Sequence, residues 1–211
     1  MTCRFKHMPW FAVVFRKHPV VYGLGVCFLL LVALASCQRA YQPKPKGYNR
    51  LILPAAQYRP SPDTLPYQFE YSAFAQLARD SSWMAEKHWM QVHYPQLKAA
   101  VHLTYKRLRN EDDLLRELMD DAYRLTSKHQ IKASGIDEVV TRTPSGKTAV
   151  IAEITGDVPS QFQFTMTDSL KHFIRGAVYF ETEVKNDSLA PAIEFMKKET
   201  MHLINTLEWK R

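Results

Sequence analysis

The chain has 211 residues, 46% hydrophobic and 23% charged, with 11 Phe, 10 Tyr and 4 Trp. That is one domain's length plus extras, at roughly 100–200 residues per domain, and the aromatic content excludes a disordered chain. Three Cys exclude a disulfide scaffold, and seven Gly leave little room for phosphate-cradling loops. The net charge of +7 is unevenly spread. The first 62 residues hold nine Lys and Arg and no acid, and the rest holds 19 basic against 21 acidic groups. A nucleic-acid binder carries its basic footprint on the folded domain. That footprint is missing, so nucleic acid is not expected as a partner.

Residues 20–34, VVYGLGVCFLLLVAL, are uncharged and follow Arg16 and Lys17. About fifteen residues fall short of the roughly 20 that span a bilayer and suit the apolar region of a signal peptide. Leu34-Ala35-Ser36-Cys37 follows and resembles a bacterial lipobox. The resemblance implies cleavage before Cys37, a diacylglyceryl group on its thiol and acylation of the new amine. One acyl chain anchors marginally and two or more anchor stably. A signal anchor with a chance Cys is the other reading. Cys3 and Cys27 lie in the leader, so the mature chain is expected to have one lipidated Cys and no disulfide.

The expected organisation is a lipoprotein signal peptide over 1–36, a lipidated N-terminus with a Pro/Lys-rich tether over 37–47, and a single α+β domain over 48–211. Pro43, Pro45, Pro54, Pro60 and Pro62 favour extended chain. Leu51, Ile52 and Leu53 form an apolar run that a free linker does not need, so the segment after Gly47 is expected to dock. A loose spacer throughout is the alternative.

Tyr67–Tyr71, Trp89–Tyr94 and Ala100–Tyr105 alternate apolar and polar residues, which predicts half-buried strands. Asn110 reads as a helix N-cap, with Glu111, Asp112 and Asp113 in the first turn. Leu114, Leu115, Leu118, Met119, Ala122 and Leu125 continue at helical spacing. Strands are expected over Ile136–Arg142 and Lys147–Ile154, around the turn Pro144-Ser145-Gly146, then over Gln161–Met166 and His172–Glu183. Asn186 or Asp187 caps a last helix with Pro191 in its first turn. Its inner stripe runs to Leu207, with Lys210 and Arg211 at its C-terminal end. This order predicts α+β: a mostly antiparallel sheet of about six to seven strands covered by two main helices. It resembles the small sandwiches typified by the Mog1 and PsbP proteins.

Catalytic templates find no support. No G-x-S-x-G, H-E-x-x-H or P-loop occurs. His93 and His102 could face each other on neighbouring strands as metal ligands, but no third ligand stands at a readable spacing. The pairs Asp112/Asp113 and Asp120/Asp121 read as solvated helix charges. Ser160 has no local base. Trp83, Trp89, Tyr94 and Tyr105 form either a sugar-binding platform or core. No catalytic residue, metal, cofactor or small-molecule ligand is therefore expected.

Several blocks carry a resemblance: Pro43-Lys-Pro-Lys-Gly-Tyr48, Phe69-Glu-Tyr-Ser72, Val101-His-Leu-Thr-Tyr-Lys106, Leu125-Thr-Ser-Lys-His129 with Lys132-Ala133, Val158-Pro-Ser-Gln161, Thr167-Asp-Ser169, His172-Phe-Ile-Arg-Gly-Ala-Val-Tyr-Phe180 and Leu207-Glu-Trp-Lys210. In order and spacing they resemble the gliding motility lipoprotein GldD family of Bacteroidetes. Asp80–Lys87 departs from the pattern. The resemblance implies a lipoprotein required for gliding, working with the gliding motor and type IX secretion proteins and bringing no catalytic residue. Surface lipoproteins of the phylum tend to carry acids just after the Cys, and Gln38-Arg39-Ala40 lacks them, so a membrane-anchored, periplasm-facing domain is expected. It carries over one site residue, Cys37. A periplasmic envelope enzyme or a glycan- or ligand-binding lipoprotein is the alternative. The triplets at Thr64, Ser169 and Ser188 resemble the phylum's O-glycosylation signal.

Overall fold

The computed structural model describes residues 55–181 and 186–210, together with Gly25, Phe28 and Leu53. The chain divides into two units, Met1–Pro45 and Lys46–Arg211, and every element below belongs to the second. The expected signal peptide apart from Gly25 and Phe28, Cys37, the tether, Leu51, Ile52 and Arg211 lie outside the described residues, as does the Ser188 side chain. Among the described residues no helix is long and apolar enough to cross a membrane.

The strands are β1 (Tyr58–Pro60), β2 (Tyr67–Gln68), β3 (Glu70–Ser72), β4 (Gln76–Arg79), β5 (Met90–Tyr94), β6 (Ala99–Arg107), β7 (Ala133–Arg142), β8 (Thr148–Gly156), β9 (Phe162–Thr167), β10 (His172–Phe180) and β11 (Glu208–Trp209). The helices are α1 (Asp112–Ser127) and α2 (Asn186–Thr206). Seven strands form an antiparallel sheet in the order β4-β5-β6-β10-β9-β8-β7, and β1 pairs with β3 and β11 with β2 in two short ribbons. Among the described residues of this unit the fold is α+β with two α-helices, as the order of sequence signals implied.

The alternation of the strands places one set of side chains in the main core. Val92, Val101, Leu103, Phe164, Met166, Ile174 and Val178 of the sheet pack with Tyr67 and Tyr71 of the ribbons, with Phe69 between them, and with Met196, Leu203 and Ile204 of α2. Two phenols fasten α2 to the strands. Tyr58 Oη donates to Glu199 Oε1 at 3.2 Å and Tyr94 Oη to Glu199 Oε2 at 3.3 Å. The other face holds a smaller core of Leu108, Ala122 and Phe173, edged by Leu114, Leu115, Leu118 and Met119 of α1.

Four sequence expectations are corrected. Asn110 is not the N-cap: it sits at φ 61°, its N–H donating to Leu170 O at 2.8 Å, and Glu111 takes the cap position without a side-chain cap bond. Tertiary pairing with the β9–β10 turn overrides the capping preference. Pro191 lies inside α2, past its first turn, because the helix already begins at Asn186. The helix stops at Thr206, so Leu207, Lys210 and the pattern that led to them do not continue it. Instead the chain turns into β11, and the Lys210 N–H donates to Pro66 O at 2.9 Å. Leu125 is 39% exposed and leaves the inner stripe of α1, where Thr126 is buried instead.

Candidate functional site

β6 and β10 are neighbours, and their register sets Arg107 opposite His172 and Tyr105 opposite Ile174. By alternation Tyr105, Arg107, His172 and Ile174 share one face at the same end of the sheet. Tyr105 and His172 are buried there and share a 2.8 Å bond between Tyr105 Oη and His172 Nδ1. Trp209 of β11 stacks on the imidazole, with ring centroids 5.1 Å apart and planes 5° apart. The last strand thus places a wall against residues far away in the sequence.

The turn before β10 is held by one carboxylate. Asp168 Oδ1 accepts the backbone N–H groups of Leu170, Lys171 and His172 at 3.1, 2.8 and 2.8 Å. Burial opposes ionisation of Asp168, but the N–H groups of His172, Lys171 and Leu170 outweigh it and hold the carboxyl below its usual range. Lys171 O accepts the Leu108 N–H at 2.9 Å, tying the turn to the end of β6. Across the site, Tyr67 Oη donates to His88 O at 2.7 Å and fixes a residue with φ 73°.

These elements enclose a cleft of about 570 Å³. Its walls carry Lys87, Lys106, Arg107, Arg109, Lys171 and Lys210 against two acids, Glu86 and Glu111. Lys106 pairs with Glu86, and Lys210 Nζ lies 3.1 Å from Asp63 Oδ1. Lys87, Arg107, Arg109 and Lys171 are exposed and make no ion pair among the described residues. Burial holds the His172 imidazole below its usual range; Asp168 pulls it up, and Arg107 and Lys171 push it down. Burial raises the Tyr105 phenol. The cleft therefore offers exposed cations around Tyr105 and His172, which is a chemistry for holding anions.

The sequence-derived candidates fall elsewhere. His93 and His102 lie on one face but not opposite each other, since His93 faces Ala100 and His102 faces Gln91. His93 Nε2 lies 3.0 Å from Glu181 Oε1, and His102 packs edge-on to Tyr179. Among the described residues no group of three His, Cys, Asp or Glu could hold a metal ion. Asp113 pairs with Arg116 on exposed α1. Ser160 is fully buried. The four aromatics do not form a platform: Trp83 is 93% exposed, Tyr94 is buried against Glu199, and Trp89 Nε1 donates to Tyr105 O at 3.0 Å.

The cleft cations were missed because they are dispersed: Lys87 in a loop, Arg107 at the end of β6, Arg109 just past it, and Lys171 in a turn. Charge summed over the domain averages them away. The local run Lys106-Arg107-Leu108-Arg109 was the available signal.

The family model described as "Gliding motility lipoprotein GldD" matches residues 38–209. Among solved structures the chain is similar to the solution structure of cyanobacterial PsbP (CyanoP) from Synechocystis sp. PCC 6803. That similarity has 11% identity, covers 79% of this chain and 99% of that chain, and has a TM-score of 0.44. The search among curated proteins finds no match.

Proposed function

Because the chain belongs to the gliding motility lipoprotein GldD family, we propose that it works as a membrane-anchored, periplasm-facing interaction component of the gliding and type IX secretion machinery, without catalysis of its own. Lipid on Cys37 sets its location, the Pro-rich segment sets its reach, and the folded unit presents a recognition surface. Tethering raises the effective concentration of any partner in the same compartment. The observation that carries the recognition role is the cleft in which Lys87, Arg107, Arg109 and Lys171 stand without ion-pair partners among the described residues. Charges left uncompensated in a concave site attract and orient an oppositely charged partner. A ligand-binding lipoprotein is the second reading, favoured by the volume of the same cleft, which lies in the range of ligand sites.

Crosslinking and affinity capture from native envelope test the proposal, with gliding and secretion scored in the same strains. Wild-type protein is expected to recover gliding or secretion components, and Cys37→Ser is expected to lose both the recovery and the phenotype at equal protein level. A released, soluble Cys37→Ser protein with full function would overturn the anchored role.

A further inference from the structure

The free cations of the cleft come from three separate chain segments: Lys87 from the loop before β5, Arg107 and Arg109 from the end of β6, and Lys171 from the turn before β10. A linear acidic segment is matched by a stripe of cations. A convergent set around one concavity is matched by a compact group carrying more than one negative charge. A phosphoryl group fits that description, with up to two charges and three strong acceptor oxygens. The guanidinium fork suits those oxygens bidentately.

The backbone around the cleft is constrained to aim these residues. His88, Arg109, Asn110 and Ser169, at φ 73°, 55°, 61° and 62°, are four of the five non-glycine residues with positive φ among the described residues. Left-handed backbone in non-glycine residues persists where the surroundings over-determine it, and it concentrates at functional sites. Here the surroundings are the bonds from Tyr67 to His88 O, from Asn110 to Leu170 O and from Leu108 to Lys171 O. The volume of about 570 Å³ exceeds what a bare phosphate fills, leaving room for the remainder of an ester beside Tyr105 and His172.

We propose that this cleft binds a phosphoryl-bearing ligand, with Arg107, Arg109 and Lys171 on the phosphoryl oxygens and Lys87 on the opposite wall. The proposal deepens the reading of the cleft as a recognition surface and rests on it. It departs from the sequence expectation that no small-molecule ligand is bound. A soluble phosphate ester and the headgroup of an anionic lipid present the same chemistry.

The test uses the full-length protein in neutral detergent, titrated calorimetrically with inorganic pyrophosphate, glycerol 3-phosphate and micelles doped with phosphatidylglycerol. Binding of at least one of these probes is expected. The double variant Arg109→Gln/Lys171→Gln, at two exposed positions, is expected to weaken it by about tenfold or more, as loss of charged hydrogen bonds does. Lys128→Gln, also exposed but not lining the cleft, is expected to bind like wild type. Binding of phosphatidylglycerol without glycerol 3-phosphate supports the headgroup as source, and the reverse supports a soluble ester. Failure of all phosphate probes, wild-type affinity in the double variant, or binding of polyglutamate in their place overturns the proposal. Envelope crosslinking of the same double variant reads the parent proposal separately. Partners lost without any phosphate binding would remove the ligand and leave the recognition role.

Discussion

His172 concentrates the chemistry of the cleft in one side chain. It is 8% exposed, bonded through Nδ1 to Tyr105 and covered by Trp209. Burial first, then Arg107 and Lys171, hold its pKa below the ordinary 6.5 against the pull of Asp168. A depressed histidine binds fewer protons folded than unfolded between its two pKa values. Its stabilising contribution is therefore full above about pH 6.5 and is lost as pH falls through the folded value. His88, His102 and His129 are shifted in the same direction, each first by burial. The thermal midpoint is expected to fall on acidification from about pH 7.5 to about 5.5. His172→Asn, which keeps a polar group near Tyr105, is expected to flatten that fall. Equal pH dependence in wild type and variant would show that His172 does not carry it. The sequence placed His172 correctly at the start of a strand. It could not show the Trp209 stack, because that contact depends on where α2 ends.

At the scale of elements, the sheet depends on a close approach between β9 and β10. Gly176 faces Phe164 in register, and a Cβ at Gly176 would lie 2.0 Å from Phe164 Cε1. The ring therefore occupies the space that any other side chain would need, and it is itself buried at 2% exposure. Gly176→Ala must displace Phe164 within the main core. Overpacking of this kind costs about 2 kcal/mol, which corresponds to a loss of roughly 4–8 °C in thermal midpoint for a chain of this size. An unchanged midpoint would mean that the ring moves aside without strain.

The long elements were legible because their patterns are strong. Alternation marked β5, β6 and β10, turn signals bounded β7, β8 and β9, and helical spacing marked α1 and α2. The short strands β1, β4 and β11 were not read as strands. Tyr58-Arg-Pro60 sat among prolines, Gln76-Leu-Ala-Arg79 has two exposed ends, and Glu208-Trp209 is too short for any periodicity. Each exists because a partner strand supplies its hydrogen bonds, which is a tertiary fact. The same holds for the cleft. Its residue types are visible in the sequence, but their convergence depends on the β6–β10 register and the Asp168 turn.

For the whole molecule, the family assignment and the physical reading meet at the N-terminus. The chain belongs to the gliding motility lipoprotein GldD family, and Leu34-Ala35-Ser36-Cys37 behind an apolar run supports the proposal that Cys37 carries its lipid. The main core of the folded unit joins the large sheet, two ribbons and α2. Under the proposal, lipid on Cys37 sets the surface at which the cleft works, and the Pro-rich stretch after it sets the reach. Mass spectrometry of the protein extracted from native envelope tests this arrangement most directly. The account predicts a mature chain beginning at Cys37, carrying a diacylglyceryl group on the thiol and an acyl chain on the amine. A chain retaining residues 1–36 with an unmodified Cys37 thiol would contradict it.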